Sequence, residues 1–243
     1  MAHLEYFIIL AFIAEVLGTI GGFGSSLFFI PIAAYFLDFH SVLGITALFH
    51  VSSNISKIFL FKSGFETKII LSIGIPAVLF VIMGAFLSKL FDSYLLEICL
   101  SLFLIVLSSI FLIFKKLEIK PTLPNSIGTG VLSGFLAGLL GTGGAIRGLS
   151  LVAFNLKTEV FIATSAIIDL GVDASRSVVY FFNGYMDFKD LYLVPILLIV
   201  SISGTFCGKW LLKFISESQF KTIVLLLVMA TGVSSLVKIL FFQ

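Results

Sequence analysis

Two sets of polar side chains at matched spacing stand out in a chain that is otherwise apolar. His50, Asn54 and Lys57 are spaced i, i+4, i+7, and Asp169, Asp173 and Arg176 repeat that spacing 119 residues later. On a helix each set lines one face. A cation inside an apolar helix is costly unless it meets a cavity or a carboxylate. Lys57 and Arg176 therefore either hold an anion or pair internally, and Asp173 with Arg176, three apart, would make such a pair. His50 and Asp169 are of the type that carries a proton. Glu15, in the first apolar run, is either a further proton carrier or the buried partner of a cation. Arg147 follows Gly144 by three residues; its guanidinium can fork onto two oxygens of an oxyanion, or sit at a membrane interface.

These residues lie beside two glycine clusters: Gly18, Gly21, Gly22 and Gly24, and Gly138, Gly141, Gly143 and Gly144. Each cluster interrupts an apolar unit of 34 residues, Leu4–Leu37 or Leu123–Leu156. As one helix such a unit would reach about 51 Å, beyond a hydrocarbon core of about 30 Å. The units are thus expected to be pairs of half-helices. A break of this kind frees backbone groups, tolerable only inside protein or beside a watery cavity, and the following helix presents its positive end there. Gly21, Gly22, Gly24 and Ser25 from one break, and Gly141, Thr142, Gly143 and Gly144 from the other, become candidates for holding an anion.

Composition decides what carries these breaks. Of 243 residues 59% are hydrophobic and 12% charged, with 28 Phe and a net charge of +2. A soluble chain is about 25% charged, so this is a polytopic membrane protein with the lipid bilayer as its surroundings. Scattered charge leaves no basic stripe for nucleic acid. Cys99 and Cys207 offer neither a disulfide framework nor metal spacing. Residues 138–148 lack the Lys-Ser/Thr end of a P-loop, and neither HExxH nor GxSxG occurs, so an enzyme is not expected. The N-terminal stretch, with Glu15 inside it and no Lys or Arg before it, reads as a retained segment rather than a signal peptide.

Six further apolar runs complete the pattern: Ser41–Phe61, Ile69–Leu90, Leu95–Phe114, Val160–Phe182, Leu191–Phe214 and Phe220–Phe242. Gly18, Gly21, Gly24, Gly64, Gly84 and Lys89 recur 120 residues on as Gly138, Gly141, Gly144, Gly184, Gly204 and Lys209. An internal duplication follows, 1–120 and 121–243, within one membrane domain. The expected fold is all-α, each repeat a glycine-broken helix pair plus three transmembrane helices. If the broken units span, Lys62, Lys68, Lys115, Lys116, Lys120, Lys189 and Lys238 face Lys89, Lys157, Lys209, Lys213 and Lys221 across the membrane. If they are re-entrant, Lys62, Lys68, Lys115, Lys116, Lys120, Lys157, Lys209, Lys213 and Lys221 share one side and Lys89, Lys189 and Lys238 the other. The second division, nine against three, is the sharper. It makes the repeats inverted, with both termini outside.

Gly-Phe-Leu-Ala-Gly-Leu-Leu-Gly-Thr-Gly-Gly-Ala at 134–145, with Gly18–Pro31 in the first half, resembles the TauE/SafE family of sulfite and organosulfonate permeases over essentially the whole chain. Two positions depart from the pattern: Phe23 stands for a glycine, and Leu151 stands where the first half has Pro31. The resemblance implies a multi-pass permease of the cytoplasmic membrane, moving a small sulfur-containing anion without a bound cofactor. It leaves open association into a homo-oligomer. An anion channel or a membrane scaffold is the alternative.

Overall fold

The computed structural model describes residues 4–22, 24–114, 120, 122–152, 154, 156–186, 190–214 and 217–241. Phe23, Lys115, Lys116 and Lys189 lie outside them. The described chain is helical throughout: α1 (Leu4–Gly21), α2 (Ser26–Ala33), α3 (Phe39–Leu60), α4 (Thr67–Ser88), α5 (Ser93–Ile113), α6 (Leu123–Leu140), α7 (Gly144–Val152), α8 (Thr158–Asn183), α9 (Leu193–Leu211) and α10 (Glu217–Phe241). Outside the two glycine-broken units, helix ends fall within three residues of the apolar runs.

Local chemistry sets several of those ends. Asp38 accepts from the N–H groups of His40 and Ser41 to open α3, and Asp92 accepts from that of Leu95 to open α5. Gly184, at φ 82°, closes α8 in the left-handed conformation. Among the described residues six helices are long and apolar enough to cross a bilayer: α1, α3, α4, α5, α6 and α9. α8 is 26 residues long, but Asp169, Asp173 and Arg176 make it more polar. Phe86, Ile199 and Phe206 are exposed on the outer faces of α4 and α9, as lipid contact requires.

Both glycine clusters break the helix, though not into two halves. α1 and α6 each run 18 residues, about 27 Å, while α2 has eight residues and α7 nine. The chain then folds back. The Phe7 ring, near the start of α1, meets Phe29 of α2 at 5.7 Å and Phe36 beyond it at 5.5 Å. The hydroxyl of Thr129 in α6 donates to Ser150 of α7 at 3.0 Å.

Each long helix of the first half finds its most extensive partner in the second: α1 against α9, α3 against α8, α4 against α6, α5 against α10. Small residues allow the closest of these approaches. A Cβ on Gly130, Gly134 or Gly138 of α6 would lie 2.3, 2.2 or 2.1 Å from the carbonyl oxygen of Ile73, Ala77 or Val81 of α4. Apolar burial gives no drive between helices in lipid, so such backbone contact and its dispersion energy hold the pair.

Candidate functional site

The polar residues singled out by spacing converge where α2, α3, α6, α7 and α8 meet. Among the described residues they form three ion pairs, Glu15–Lys57, Asp173–Arg176 and Arg147–Asp169.

Glu15 is fully buried and is satisfied from four helical elements. Thr19, Ser25, Ser53 and Thr205 donate hydroxyls to it at 3.1, 2.6, 2.5 and 3.0 Å, and the Lys57 ammonium lies 3.0 Å away. Lys57 also donates to Ser53 at 2.6 Å. A carboxylate in hydrocarbon must be compensated in this way. Ser25, whose proton goes to Glu15, accepts from His50 Nε2 at 2.9 Å. The other nitrogen of His50 lies 3.8 Å from Asp173.

Asp173 accepts from Asn54 at 2.7 Å and from Arg176 Nε at 2.8 Å. Arg176 then reaches across to the end of α6, donating to the carbonyls of Gly141 at 2.6 Å and Ala137 at 3.2 Å. Tyr180 donates to the carbonyl of Gly138 at 2.6 Å. The last carbonyls of a helix lack intrahelical donors, and Arg176 and Tyr180 supply them here. Gly141, at φ 79°, turns the chain out of α6; a side chain there would collide with Ile30 at 2.5 Å and Leu43 at 2.7 Å.

Arg147 differs from the other two cations. It is 1% exposed and pairs with Asp169 through Nη2 alone, while its Nε and Nη1 have no partner. Buried guanidinium N–H groups without acceptors are expensive. Arg147 lines a small cavity of about 10 Å³, room for roughly one water molecule. Gly24, Ser25, His50, Asn54, Lys57, Gly141, Gly143, Gly144, Asp169, Asp173 and Arg176 share its wall.

Four expected site residues stand back from that wall. Glu15 is behind Ser25, Gly21 ends α1, Gly22 packs on the Phe161 ring, and Thr142 accepts from Ser26 at 3.2 Å where the two breaks touch. Spacing did not single out Thr19, Thr205 or Tyr180. Hydroxyls are common in membrane helices, and only Thr19, one turn after Glu15, carried a signal. Among the described residues no three His, Cys, Asp or Glu side chains gather as for a metal ion.

No solved structure matches the chain. A protein of Methanocaldococcus jannaschii named as a probable membrane transporter is 28% identical to it, over 98% of this chain and 96% of its own length. The sulfite exporter TauE/SafE family matches residues 7–235, nearly the full run of helices that builds the cavity. This multi-pass chain therefore belongs to the TauE/SafE family of membrane transporters, and is not an enzyme.

Proposed function

We propose that the chain carries small oxyanions, sulfite or organosulfonates, by alternating access, with the anion held at Arg147 where the two glycine breaks meet. The observation that carries this reading is the guanidinium of Arg147, buried and facing the cavity wall with Nε and Nη1 unused. A guanidinium with donors to spare suits an oxyanion: an anion that takes the Nη2 edge from Asp169 meets a two-donor fork, with Nε on one side or Nη1 on the other. Lys57 and Arg176 line the same cavity but are engaged by Glu15 and by the end of α6, so their part is to hold the wall. Gly24 keeps its part of that wall free of a side chain, while Gly143 lets the chain pass close against Ser133 of α6.

Two inverted repeats, 1–120 and 121–243, supply the moving parts. Contacts recur under the 120-residue offset: Gly84 packs on Phe135, and Gly204 packs on Glu15. The pairs α1–α9 and α4–α6 exchange under that offset, while α3–α8 and α5–α10 map onto themselves. This is the pattern of a pseudo-twofold axis. Both glycine-broken units are re-entrant in this reading, and the connections agree. Ser63 meets Glu159, the Glu66 N–H reaches Thr164 at 3.0 Å, Lys209 donates to the carbonyl of Leu60, and His40 stacks on Tyr185 at 4.4 Å. Eight full crossings would put the members of each pair on opposite sides of the membrane. Re-entrant units put each pair on one side, with both termini outside. Hairpins entering from opposite faces then touch at Ser26 and Thr142, and rocking one repeat on the other opens the cavity to each side in turn.

Uptake of labelled sulfite and sulfonates into proteoliposomes tests the reading. Flux in wild type that is lost in Arg147→Ala supports it. No flux of any sulfur oxyanion in wild type, or full flux in Arg147→Ala, overturns it.

A further inference from the structure

We propose that Asp169 competes with the substrate anion for Arg147 and takes up a proton when displaced, so that one proton travels with each monovalent anion. This rests on the assignment of Arg147 as the anion ligand.

The three carboxylates of the site are held very differently. Glu15 has four hydroxyls and an ammonium around it and no exposure. Asp173 is fixed by Asn54 and by two nitrogens of Arg176. Asp169 has the Arg147 contact and one hydroxyl, Ser165 at 3.2 Å, and its side chain is 14% exposed, the most open of the six charged groups. It is the carboxylate that can leave its partner at least cost.

Its grip on Arg147 is also incomplete. Asp169 uses Nη2 and leaves Nε and Nη1 without acceptors. A three-oxygen anion such as a sulfonate can satisfy more of that fork than one carboxylate oxygen does. The arriving anion thus has an advantage at the same guanidinium, and Asp169 occupies the position of its competitor.

Displacement leaves Asp169 as an uncompensated charge beside a bound anion. The groups facing it are Ser165, Asp173 and Arg176 from its own helix, Arg147 from α7, and His50, Asn54 and Lys57 from α3 across the cavity. Lys57 belongs to Glu15 and Arg176 to Asp173, so neither cation is free to replace Arg147. A carboxylate beside a like charge, with no cation, binds a proton. The balance is simple. Asp169 carboxylate, one proton and one anion become neutral Asp169 and an anion on Arg147, with the net charge of the site unchanged.

The test uses the full chain in proteoliposomes with labelled methanesulfonate, whose charge does not vary with pH. Wild type should accumulate it when the outside is acidified, and the lumen should acidify in step. Asp169→Asn should bind methanesulfonate on the order of tenfold more tightly, because its competitor is gone. Its affinity should no longer depend on pH. It should still exchange labelled for unlabelled anion across the membrane, yet fail to accumulate it. Calorimetry of wild type in two buffers of different ionisation enthalpy needs no variant and should show one proton taken up per anion bound. Wild-type flux with no proton movement, binding without proton uptake, or pH-driven accumulation by Asp169→Asn overturns the exchange and leaves the anion site standing. Absence of all sulfur-oxyanion flux in wild type overturns the anion site itself.

Discussion

At the first glycine break the serine that opens the following helix, Ser25, is fixed between Glu15 and His50. At the second, the arginine in the opening turn of α7 keeps two N–H groups without a partner. The same backbone device thus serves two ends. One break is tied down by the protein's own carboxylate, and the polar groups it brings satisfy each other. The other is tied down from outside, by Arg176 and Tyr180 on the last carbonyls of α6, and its own cation remains available. A glycine break in a membrane is a place where backbone polarity must be met. The residues brought in to meet it decide whether anything is left over for a ligand.

The largest effect that separates the two breaks is expected from Arg147→Ala, with transport and anion binding falling below detection in flux and equilibrium-binding assays. Arg147→Lys keeps the charge but not the fork, and should recover only part of the affinity. Next comes Glu15→Gln at the other break. It strands the buried Lys57 ammonium, a loss of about 3–5 kcal/mol, to be read as a lower melting temperature in detergent. Adding Lys57→Met should restore most of that stability, because a buried ion pair replaced as a unit by apolar groups costs little. Recovery of stability without recovery of anion affinity would place Lys57 at the ligand and blur the contrast.

Two alanine substitutions sharpen it further. At Gly143 a Cβ would lie 1.9 Å from the carbonyl oxygen of Ser133, so α7 must shift on α6. Overpacking of this kind costs about 1–3 kcal/mol, or more. At Gly24 the nearest atom to such a Cβ is Ser26 Oγ at 3.9 Å, and the penalty comes from φ 84° alone, on the order of 1 kcal/mol. Gly143→Ala should therefore melt well below Gly24→Ala. Equal melting temperatures would mean that the second break is the more pliable of the two.

The positions of the breaks were legible because glycine clusters are rare inside apolar runs of that length. So was the polar lining that His50, Asn54, Asp169 and Asp173 give one cavity, because i, i+4 spacing inside an apolar helix leaves polar groups one place to go. The unequal limbs were not legible. After Ala33 the chain turns through Tyr35 and Phe36, the packing of Phe36 against Phe7 closes the hairpin early, and nothing in the apolar run beyond the glycines marks that turn. The role of Arg176 was hidden for a similar reason. Whether a guanidinium faces a ligand or a neighbouring helix end depends on how closely α8 approaches α6, which is a property of packing and not of spacing. Glu15 stood open between proton carrier and buried partner, and the hydroxyls of Thr19 and Thr205 that bear on that choice come from helices far apart in sequence.

Because α1, α3, α4 and α5 each find their main partner beyond residue 120, half of this chain is made before its neighbours exist. During synthesis Lys57, Glu15 and the α4 face around Gly84 must wait in the membrane for helices still on the ribosome. The late arrival of α6, whose three glycines lock onto Ile73, Ala77 and Val81, is then the step that turns a loose set of inserted helices into a folded carrier. Residues 1–120 and 121–243 produced as separate chains in one cell should find each other and restore transport, while either alone should be degraded.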